Sequence, residues 1–194
     1  MLKIVWKLMV FSLLLCGWCS VATAGVITCE PDNQRVATLS DAVECKTLNS
    51  VNLHSPAQID GLYDDLGYPW VKEGELTGVG ENNLFKVEAD SWGVDVTGHW
   101  YIADAFWDSY SRAVITMHVG QGGGNPDAFA WLITPGTTYG DFSYTRISGT
   151  GGGLSNMFLF GSGTPLIRVS ESGVLMLLLM GLFSLYAVRR YALV

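Results

Sequence analysis

Hydrophobic and polar residues follow three different patterns along this chain. Residues 8–15 form one short apolar block close to the N-terminus, and residues 173–188 form a longer apolar run without any charge. Between these blocks, apolar residues alternate with polar ones or form short runs rich in Val, Ile, Thr and aromatic residues, separated by glycine clusters. Such runs are typical of β-strands joined by turns. The pattern therefore predicts a mostly β domain with an apolar segment at each end.

The middle of the chain, residues 25–163, predicts an antiparallel β-sandwich with a jelly-roll-like arrangement. Five stretches indicate strands: LFKVEADSWGVDVTGHWYIAD, RAVITMHVG, AFAWLITPG, GDFSYTRIS and MFLFGSG. A short helix is expected within DNQRVATLSDAVECKTL. The glycine-rich VGQGGGNPD predicts a hairpin loop and not a phosphate-binding loop, because a strand and not a helix follows it. A domain of about 140 residues is large enough to bury a core unaided.

The N-terminal segment, residues 1–24, has the three parts of a secretory signal peptide. Lys3 and Lys7 supply positive charge, residues 8–15 supply the apolar block, and Ala-Thr-Ala at 22–24 supplies a small-residue cleavage motif. This order predicts an N-terminal signal helix that is removed after residue 24. The domain is therefore expected to be exported.

Removal of the signal peptide leaves two cysteines, Cys29 and Cys45. Two cysteines in an exported domain are more often bridged than free, and neither a CxxC spacing nor a nearby histidine indicates a redox or metal pair. A structural disulfide between them is therefore predicted. Closing a loop of about 15 residues contributes roughly 3 kcal/mol in the chain-entropy description.

The C-terminal apolar run, residues 173–188, predicts a transmembrane helix. It extends about 24 Å as a helix, and residues 169–172 or the long side chains of Arg189 and Arg190 bring it to the ~30 Å of a hydrocarbon core. No polar face interrupts the run, which argues against a helix packed on a soluble core. Residues 189–194 are expected to form a basic cytoplasmic tail, because positive charge resists translocation.

The end of the chain also resembles a bacterial sorting signal. Residues 164–172 form a linker that ends in a short acidic motif, and the apolar run and a basic pair follow it. This order resembles the PEP-CTERM sorting domain, although serines stand here where that family has prolines. The resemblance implies processing near the motif by an exosortase-type enzyme. The matching positions are Ser170, Glu171, Ser172, Arg189 and Arg190.

The order of landmarks in the middle is similar to that of ectodomains in many PEP-CTERM proteins. GHWYIADAFWDSYSRAVITMHVGQGGGNPDAFAWLI, GDFSYT and GLSNMFLFG follow one another as a G-x-W strand, a strand with a glycine loop, aromatic strands and a closing strand. This chain has Asn156 in the closing strand, where the family often has histidine. The resemblance implies a β-sandwich ectodomain and assigns no activity to it.

Charge narrows the range of partners. Residues 25–168 contain 17 acidic and 7 basic residues, and the formal net charge of the chain is −7. A domain this acidic repels nucleic-acid phosphates and anionic headgroups, which argues against nucleic acid as a partner. Calcium and neutral glycans are compatible with this charge, and so is a role in solubility alone.

A cluster of acidic residues gives one candidate site. Asp60, Asp64 and Asp65 supply carboxylate oxygens of the kind that calcium binds, although the EF-hand spacing is absent. A structural calcium ion is thus the one cofactor that the sequence suggests, and an acidic surface loop is the alternative.

Aromatic residues and a carboxylate pair give two more candidates. Trp92, Trp107 and Tyr110 are candidates for stacking on sugars, and the two tryptophans lie beside acidic residues, so we expect them to be exposed. Glu88 and Asp90 are two residues apart and therefore share one face of a strand. Two carboxylates placed in this way serve as nucleophile and acid in some retaining glycosidases.

These expectations describe an exported, non-catalytic protein of the cell envelope or extracellular matrix, of the PEP-CTERM type. Its predicted partners are the membrane, an exosortase-type processing enzyme and exopolysaccharide. We expect it to cross the inner membrane and then to stay anchored there or to be released to the cell surface. Two alternatives are a glycan-binding module and a carbohydrate-active enzyme of the glycoside hydrolase class.

Overall fold

The computed structural model describes residues 25–29, 34–63, 67–120, 124–165 and 171–191. In the last range it describes the side chains of residues 176–185 and 189. The predicted signal peptide, residues 1–24, lies outside the described residues, and so do residues 166–170 of the predicted linker.

The described residues form eleven strands and three helices. The strands are β1 (Val26–Cys29), β2 (Arg35–Ser40), β3 (Ala42–Leu48), β4 (Val71–Leu76), β5 (Gly80–Glu81), β6 (Phe85–Ala89), β7 (Val96–Ile102), β8 (Arg112–Val119), β9 (Ala128–Ile133), β10 (Tyr139–Arg146) and β11 (Leu154–Ser162). The helices are α1 (Pro56–Tyr63), α2 (Asp104–Trp107) and α3 (Glu171–Tyr191).

The strands form two antiparallel sheets, as the sequence predicted for a β-sandwich. The first sheet has six strands in the order β1-β2-β10-β7-β6-β5, and the second has five in the order β3-β9-β8-β11-β4. All five stretches that indicated strands contain them. The glycine-rich segment after β8 joins it to its antiparallel neighbour β9, so the prediction of a hairpin loop is confirmed.

The main core follows the period-two alternation of the strands, which sends successive side chains to opposite faces. On β7, Trp100 and Ile102 are buried, whereas Thr97 and His99 are exposed on the other face. Trp131 of the second sheet belongs to the same buried cluster. The outward face of the first sheet is therefore formed by the alternate, more exposed side chains of its strands.

Helix α1 packs in a second buried cluster, with residues of the five-stranded sheet. Ile59 and Tyr63 of the helix are buried together with Val114 and Phe160 of the sheet. The Tyr63 hydroxyl donates a hydrogen bond to the carbonyl of Ala130 at 2.9 Å. One sheet is thus covered by a helix on its outer side, and the outer face of the six-stranded sheet is the one that remains accessible among the described residues.

A disulfide joins the edge strands of the two sheets. Cys29 lies at the end of β1 in the six-stranded sheet, and Cys45 lies in β3 of the five-stranded sheet. Their Cα atoms are 6.1 Å apart, within the range that a disulfide spans. The predicted pairing is therefore supported, and it closes one side of the sandwich.

The prediction of a helix between residues 32 and 48 is wrong. This stretch forms β2 and β3, which belong to different sheets and meet at Asp41, where φ is 60°. Arg35, Ala37 and Leu39 are buried in alternation, which is the strand period and not the helical one. The helix of this region is α1 instead, which begins a few residues after β3 ends.

Helix α3 is longer than the predicted apolar helix at residues 173–188. It begins at Glu171 and ends at Tyr191, so it includes part of the sorting motif and the basic pair that was assigned to the tail. Among the described residues, no helix combines the length and the hydropathy expected of a membrane span.

Candidate functional site

The accessible outer face of the six-stranded sheet carries an aromatic and charged cluster on three neighbouring strands. The strand register places these side chains in two rows, because residues that are paired across strands lie side by side on one face. In the first row Lys86 pairs with Tyr101, which pairs with Tyr139. In the second row Glu88 pairs with His99, which pairs with Asp141. We call this cluster the tyrosine face; it consists of Lys86, Glu88, His99, Tyr101, Tyr139 and Asp141.

At one end of the tyrosine face, Glu88 joins the two rows. Its Oε1 atom lies 2.6 Å from Lys86 Nζ, and its Oε2 atom accepts a hydrogen bond from the Tyr101 hydroxyl at 2.9 Å. The bonds from Lys86 and Tyr101 hold the pKa of Glu88 below its usual value, and the same bonds raise the pKa of both partners. Glu88 is therefore an ionised carboxylate at neutral pH.

At the other end, Tyr139 lies against both His99 and Asp141. The carboxylate Oδ1 of Asp141 is 2.6 Å from His99 Nδ1, and it accepts a hydrogen bond from the Tyr139 hydroxyl at 3.4 Å. The rings of His99 and Tyr139 are stacked with centroids 5.6 Å apart, and the Tyr101 ring lies 5.2 Å from that of Tyr139. Partial burial, together with the charge of Asp141, raises the pKa of Tyr139. Three rings thus form one continuous platform.

Two concavities flank this platform. The first has a volume of about 550 Å³, and Glu88, Asp90, His99 and Asp141 are among its lining residues. The second has a volume of about 440 Å³, and it shares Lys86, Tyr101 and Tyr139 with the tyrosine face. The two carboxylates that the sequence placed on one face, Glu88 and Asp90, therefore line the same concavity. A platform of rings between two open concavities suits an extended ligand better than a small enclosed one.

The backbone beneath the tyrosine face is held by close strand contacts. The Ser40 hydroxyl accepts a hydrogen bond from the Asp141 backbone N–H at 2.8 Å. A Cβ atom at Gly98, which lies between His99 and Thr97 on β7, would be 2.1 Å from the Glu88 carbonyl oxygen. Glycine at this position allows β6 to approach β7 closely enough for Glu88 and His99 to be neighbours.

The aromatic residues that the sequence indicated for glycan binding lie elsewhere. Trp107 is completely buried, and its Nε1 donates to the Thr137 carbonyl at 3.0 Å, so the expectation that it is exposed is wrong. Trp92 is half-buried against the core and donates to the Ser155 carbonyl at 3.3 Å. Tyr110 is also half-buried; its hydroxyl donates to Glu73, and burial and this bond raise the pKa of Tyr110 to about 12. None of these three belongs to the tyrosine face.

The reason for the burial of Trp107 is the one-turn helix α2. Asp104 and Asp108, at the start of this helix and just after it, are exposed, whereas Phe106 and Trp107 between them point into the main core. Adjacent acidic residues therefore did not indicate the direction of the indole ring, because Asp108 is exposed directly after two residues that are buried.

The predicted calcium site is described only in part. Asp60 lies in α1 and is half-buried, while Asp64 and Asp65 lie outside the described residues. Within the described part of the chain, no group of three or more His, Cys, Asp or Glu residues is placed to hold a metal ion. The calcium site stays a prediction.

The predicted sorting motif is also described in part. Ser170 lies outside the described residues, whereas Glu171 and Ser172 form the first turn of α3 and Arg189 and Arg190 belong to its last turns. The side chains of residues 176–185 of this helix are exposed.

Sequence reasoning found Glu88 but missed the other five residues of the tyrosine face. The alternation in GHWYI and TYGDF was the available signal, because it sends His99, Tyr101, Tyr139 and Asp141 to the side opposite the buried tryptophan and phenylalanine. What the alternation did not indicate is that β7 and β10, which are not consecutive strands, lie side by side. His99 and Asp141 are 42 positions apart in the chain.

No family model, no curated protein and no solved structure matches the chain.

Proposed function

We propose that this chain is an exported cell-envelope protein whose β-sandwich binds polysaccharide through the tyrosine face. The single observation that carries the proposal is the accessible platform of His99, Tyr101 and Tyr139, flanked by two concavities on a sheet face that no described helix covers. Aromatic rings offer an apolar surface to the faces of sugar rings, while nearby carboxylates and hydroxyls accept and donate hydrogen bonds to sugar hydroxyls. Tyr139 is 48% exposed, so a ligand reaches it without rearrangement.

The charges of the tyrosine face favour binding over hydrolysis. A glycosidase needs one carboxyl group that keeps a proton near neutral pH, and such a group normally has a raised pKa. The pKa of Glu88 is instead lowered, most strongly by the hydrogen bond from Lys86 and next by the hydrogen bond from Tyr101. Glu88 therefore suits ligand binding or the role of a nucleophile, and it does not suit the role of a general acid.

Glycoside hydrolysis is the second candidate function, because Glu88 and Asp90 line one concavity. The test is the release of reducing ends from a panel of polysaccharides by the purified protein, compared with Glu88→Gln. Turnover that this substitution abolishes would replace the binding proposal with the enzymatic one. Binding without turnover supports the binding module.

The proposal also includes export and retention at the membrane. In support, the sequence begins with the pattern of a signal peptide, and two cysteines of the following domain are positioned as a disulfide, which forms in oxidising compartments. The exposed apolar side chains of α3 at residues 176–185 belong to an uncharged run that extends from residue 173 to 188. Ser184 donates its hydroxyl to the Met180 carbonyl at 2.8 Å, which satisfies that polar group within the helix, as lipid requires.

The binding proposal is tested with two tyrosines of equal exposure. Tyr139 is 48% exposed on the tyrosine face, and Tyr68 is 49% exposed elsewhere on the surface. Isothermal titration of the purified chain in detergent micelles with extracellular polysaccharides should show that Tyr139→Ala weakens binding at least about tenfold, or ~1.4 kcal/mol. Tyr68→Ala should leave the affinity within about twofold, or ~0.4 kcal/mol. Equal losses in both variants, or no polysaccharide bound by the parent chain, would reject the tyrosine face as the binding site.

The predicted export and C-terminal processing are tested separately, by mass spectrometry of protein from hosts with and without an exosortase. We expect a mature N-terminus at Gly25 in both hosts, and loss of Arg189 and Arg190 only where the processing enzyme is present. If all surface protein from the exosortase host retains both arginines, the prediction of a sorting signal is wrong and α3 acts only as a membrane anchor.

A further inference from the structure

We infer that the tyrosine face selects polysaccharides that carry free amino groups, such as chains of β-1,4-linked glucosamine. This inference rests on the proposed polysaccharide binding and adds the chemical class of the ligand. It is based on the balance of charges around the two concavities and on the way in which the protein's own ammonium group is bound there.

The lining of the two concavities is strongly acidic. The carboxylates along them outnumber the basic groups, which are Lys86 and His99, and Lys86 is already paired with Glu88 at 2.6 Å. A polymer with carboxylate or sulfate groups is repelled from such a surface, and one with ammonium groups is attracted to it. The lining carboxylates are those of Glu81, Glu88, Asp90, Asp104 and Asp141.

Lys86 shows what the surface does with an ammonium group. Its Nζ lies 2.6 Å from a carboxylate oxygen of Glu88 and 5.1 Å from the centroid of the Tyr101 ring. A carboxylate on one side and the face of an aromatic ring on the other are the two interactions that stabilise a cation at a protein surface.

The opposite end of the tyrosine face repeats this combination of groups. The carboxylate of Asp141 lies beside the ring and hydroxyl of Tyr139, and it is 65% exposed. An ionised carboxylate accepts hydrogen bonds at about four lone-pair positions, so Asp141 can bind a ligand ammonium while it also contacts His99. A glucosamine unit whose ring rests on Tyr139 brings its 2-amino group towards this carboxylate.

The decisive comparison uses two ligands that differ only in the amino group. Oligosaccharides of β-1,4-linked glucosamine and of N-acetylglucosamine, equal in length, are titrated into the full chain in detergent at pH 6, where the free amine is protonated. An exposed ion pair and an exposed cation–π contact together predict about tenfold tighter binding of the glucosamine chain. The preference should decline as salt is added, because exposed charges are screened.

Two variants move the preference in opposite directions, which a merely structural effect would not do. Asp141→Asn removes one carboxylate and should reduce the preference to within about threefold, while Asp108→Asn, an exposed acidic residue outside the concavities, should leave it unchanged. Lys86→Gln removes the internal competitor beside Glu88 and Tyr101 and should increase the preference by about twofold or more.

The outcomes separate the two proposals. If both oligosaccharides bind with equal affinity, or the acetylated one binds more tightly, the selection for amines is overturned while polysaccharide binding stands. If neither ligand nor any other polysaccharide binds, both proposals are overturned. Thermal unfolding of each variant, compared with the parent chain, confirms that the changes in affinity belong to folded protein.

Discussion

His118 lies in surroundings that disfavour its protonated form. It lies on β8, on the same side of the strand as Val114 and Thr116, which face the layer that covers the five-stranded sheet. Its Nδ1 atom is buried and has no hydrogen-bond partner among the described residues. Burial lowers the pKa of His118, and the hydrogen bond with Asn156 opposes this shift in part. The native state therefore favours neutral imidazole.

The stability of the protein should fall when His118 is forced to take up a proton. Its pKa is lower in the folded chain than the value of about 6.5 in an unfolded one, so the unfolded state binds the proton first as the pH decreases. The free energy of unfolding, measured by chemical denaturation, should therefore decrease from pH 7 to pH 5. His118→Gln should make this decrease smaller, because it removes the group that the unfolded state protonates first. An unchanged pH dependence in His118→Gln would contradict the assignment.

Individual side chains were the level at which sequence reasoning was least reliable. Cys29 and Cys45 were paired correctly because only these two cysteines follow the predicted signal peptide, which leaves one intramolecular combination. Trp107 was misplaced because its direction depends on the single turn of α2, which is too short to produce a periodic pattern. Tyr139 was not singled out as a ligand contact because only its pairing with Tyr101 on β7 places it in the proposed binding face.

Among the elements, those with a clear period-two pattern were predicted and those without it were not. The stretches around β6 to β11 alternate or run apolar between glycines, and all of them form strands. The stretch that forms β2 and β3 contains residues that favour helices, such as Ala37 and Glu44, and tertiary pairing overrides that preference. Helix α1 has a weak apolar pattern because only Ile59 and Tyr63 among its residues are buried.

Helix α1 is expected to stabilise the domain through those two residues. Ile59 is completely buried between the helix and the five-stranded sheet, so Ile59→Ala leaves a cavity and should lower the free energy of unfolding by about 2–4 kcal/mol. Ala57→Ser, on the exposed side of the same helix, should change it by less than about 0.5 kcal/mol. Denaturant titration of the two variants checks this expectation. A loss of less than about 1 kcal/mol in Ile59→Ala would mean that the packing of α1 on the sheet contributes little to the free energy of unfolding.

The whole molecule uses the outer faces of its two sheets differently. The five-stranded sheet is covered by α1 and its neighbouring loops, which completes a second core. The six-stranded sheet presents the tyrosine face, assembled from strands that are not consecutive in the chain. The class of fold could be predicted from local patterns, whereas this face depends on the order of strands in the sheet, which local patterns do not contain.

The disulfide acts at this largest scale, because it connects the two sheets through their edge strands. It links residues 16 positions apart, and its loss should lower the free energy of unfolding by about 3 kcal/mol. The paired substitution Cys29→Ser with Cys45→Ser, compared with the parent chain in oxidising and in reducing buffer, checks this value by thermal unfolding. The reduced parent chain should match the double variant. Identical stability in all samples would show that the bridge is dispensable.

The tyrosine face lies on β6, β7 and β10, which are paired strands within a sheet and not loops. A sugar chain that reaches it meets side chains that are already in place, so no loop has to be ordered before contact is made. Individual contacts of this kind form and break quickly, but a polymer offers many identical repeats. If many copies are held in one membrane, as we propose, they bind a single strand of polymer at several points, and weak individual contacts add up to lasting adhesion through avidity.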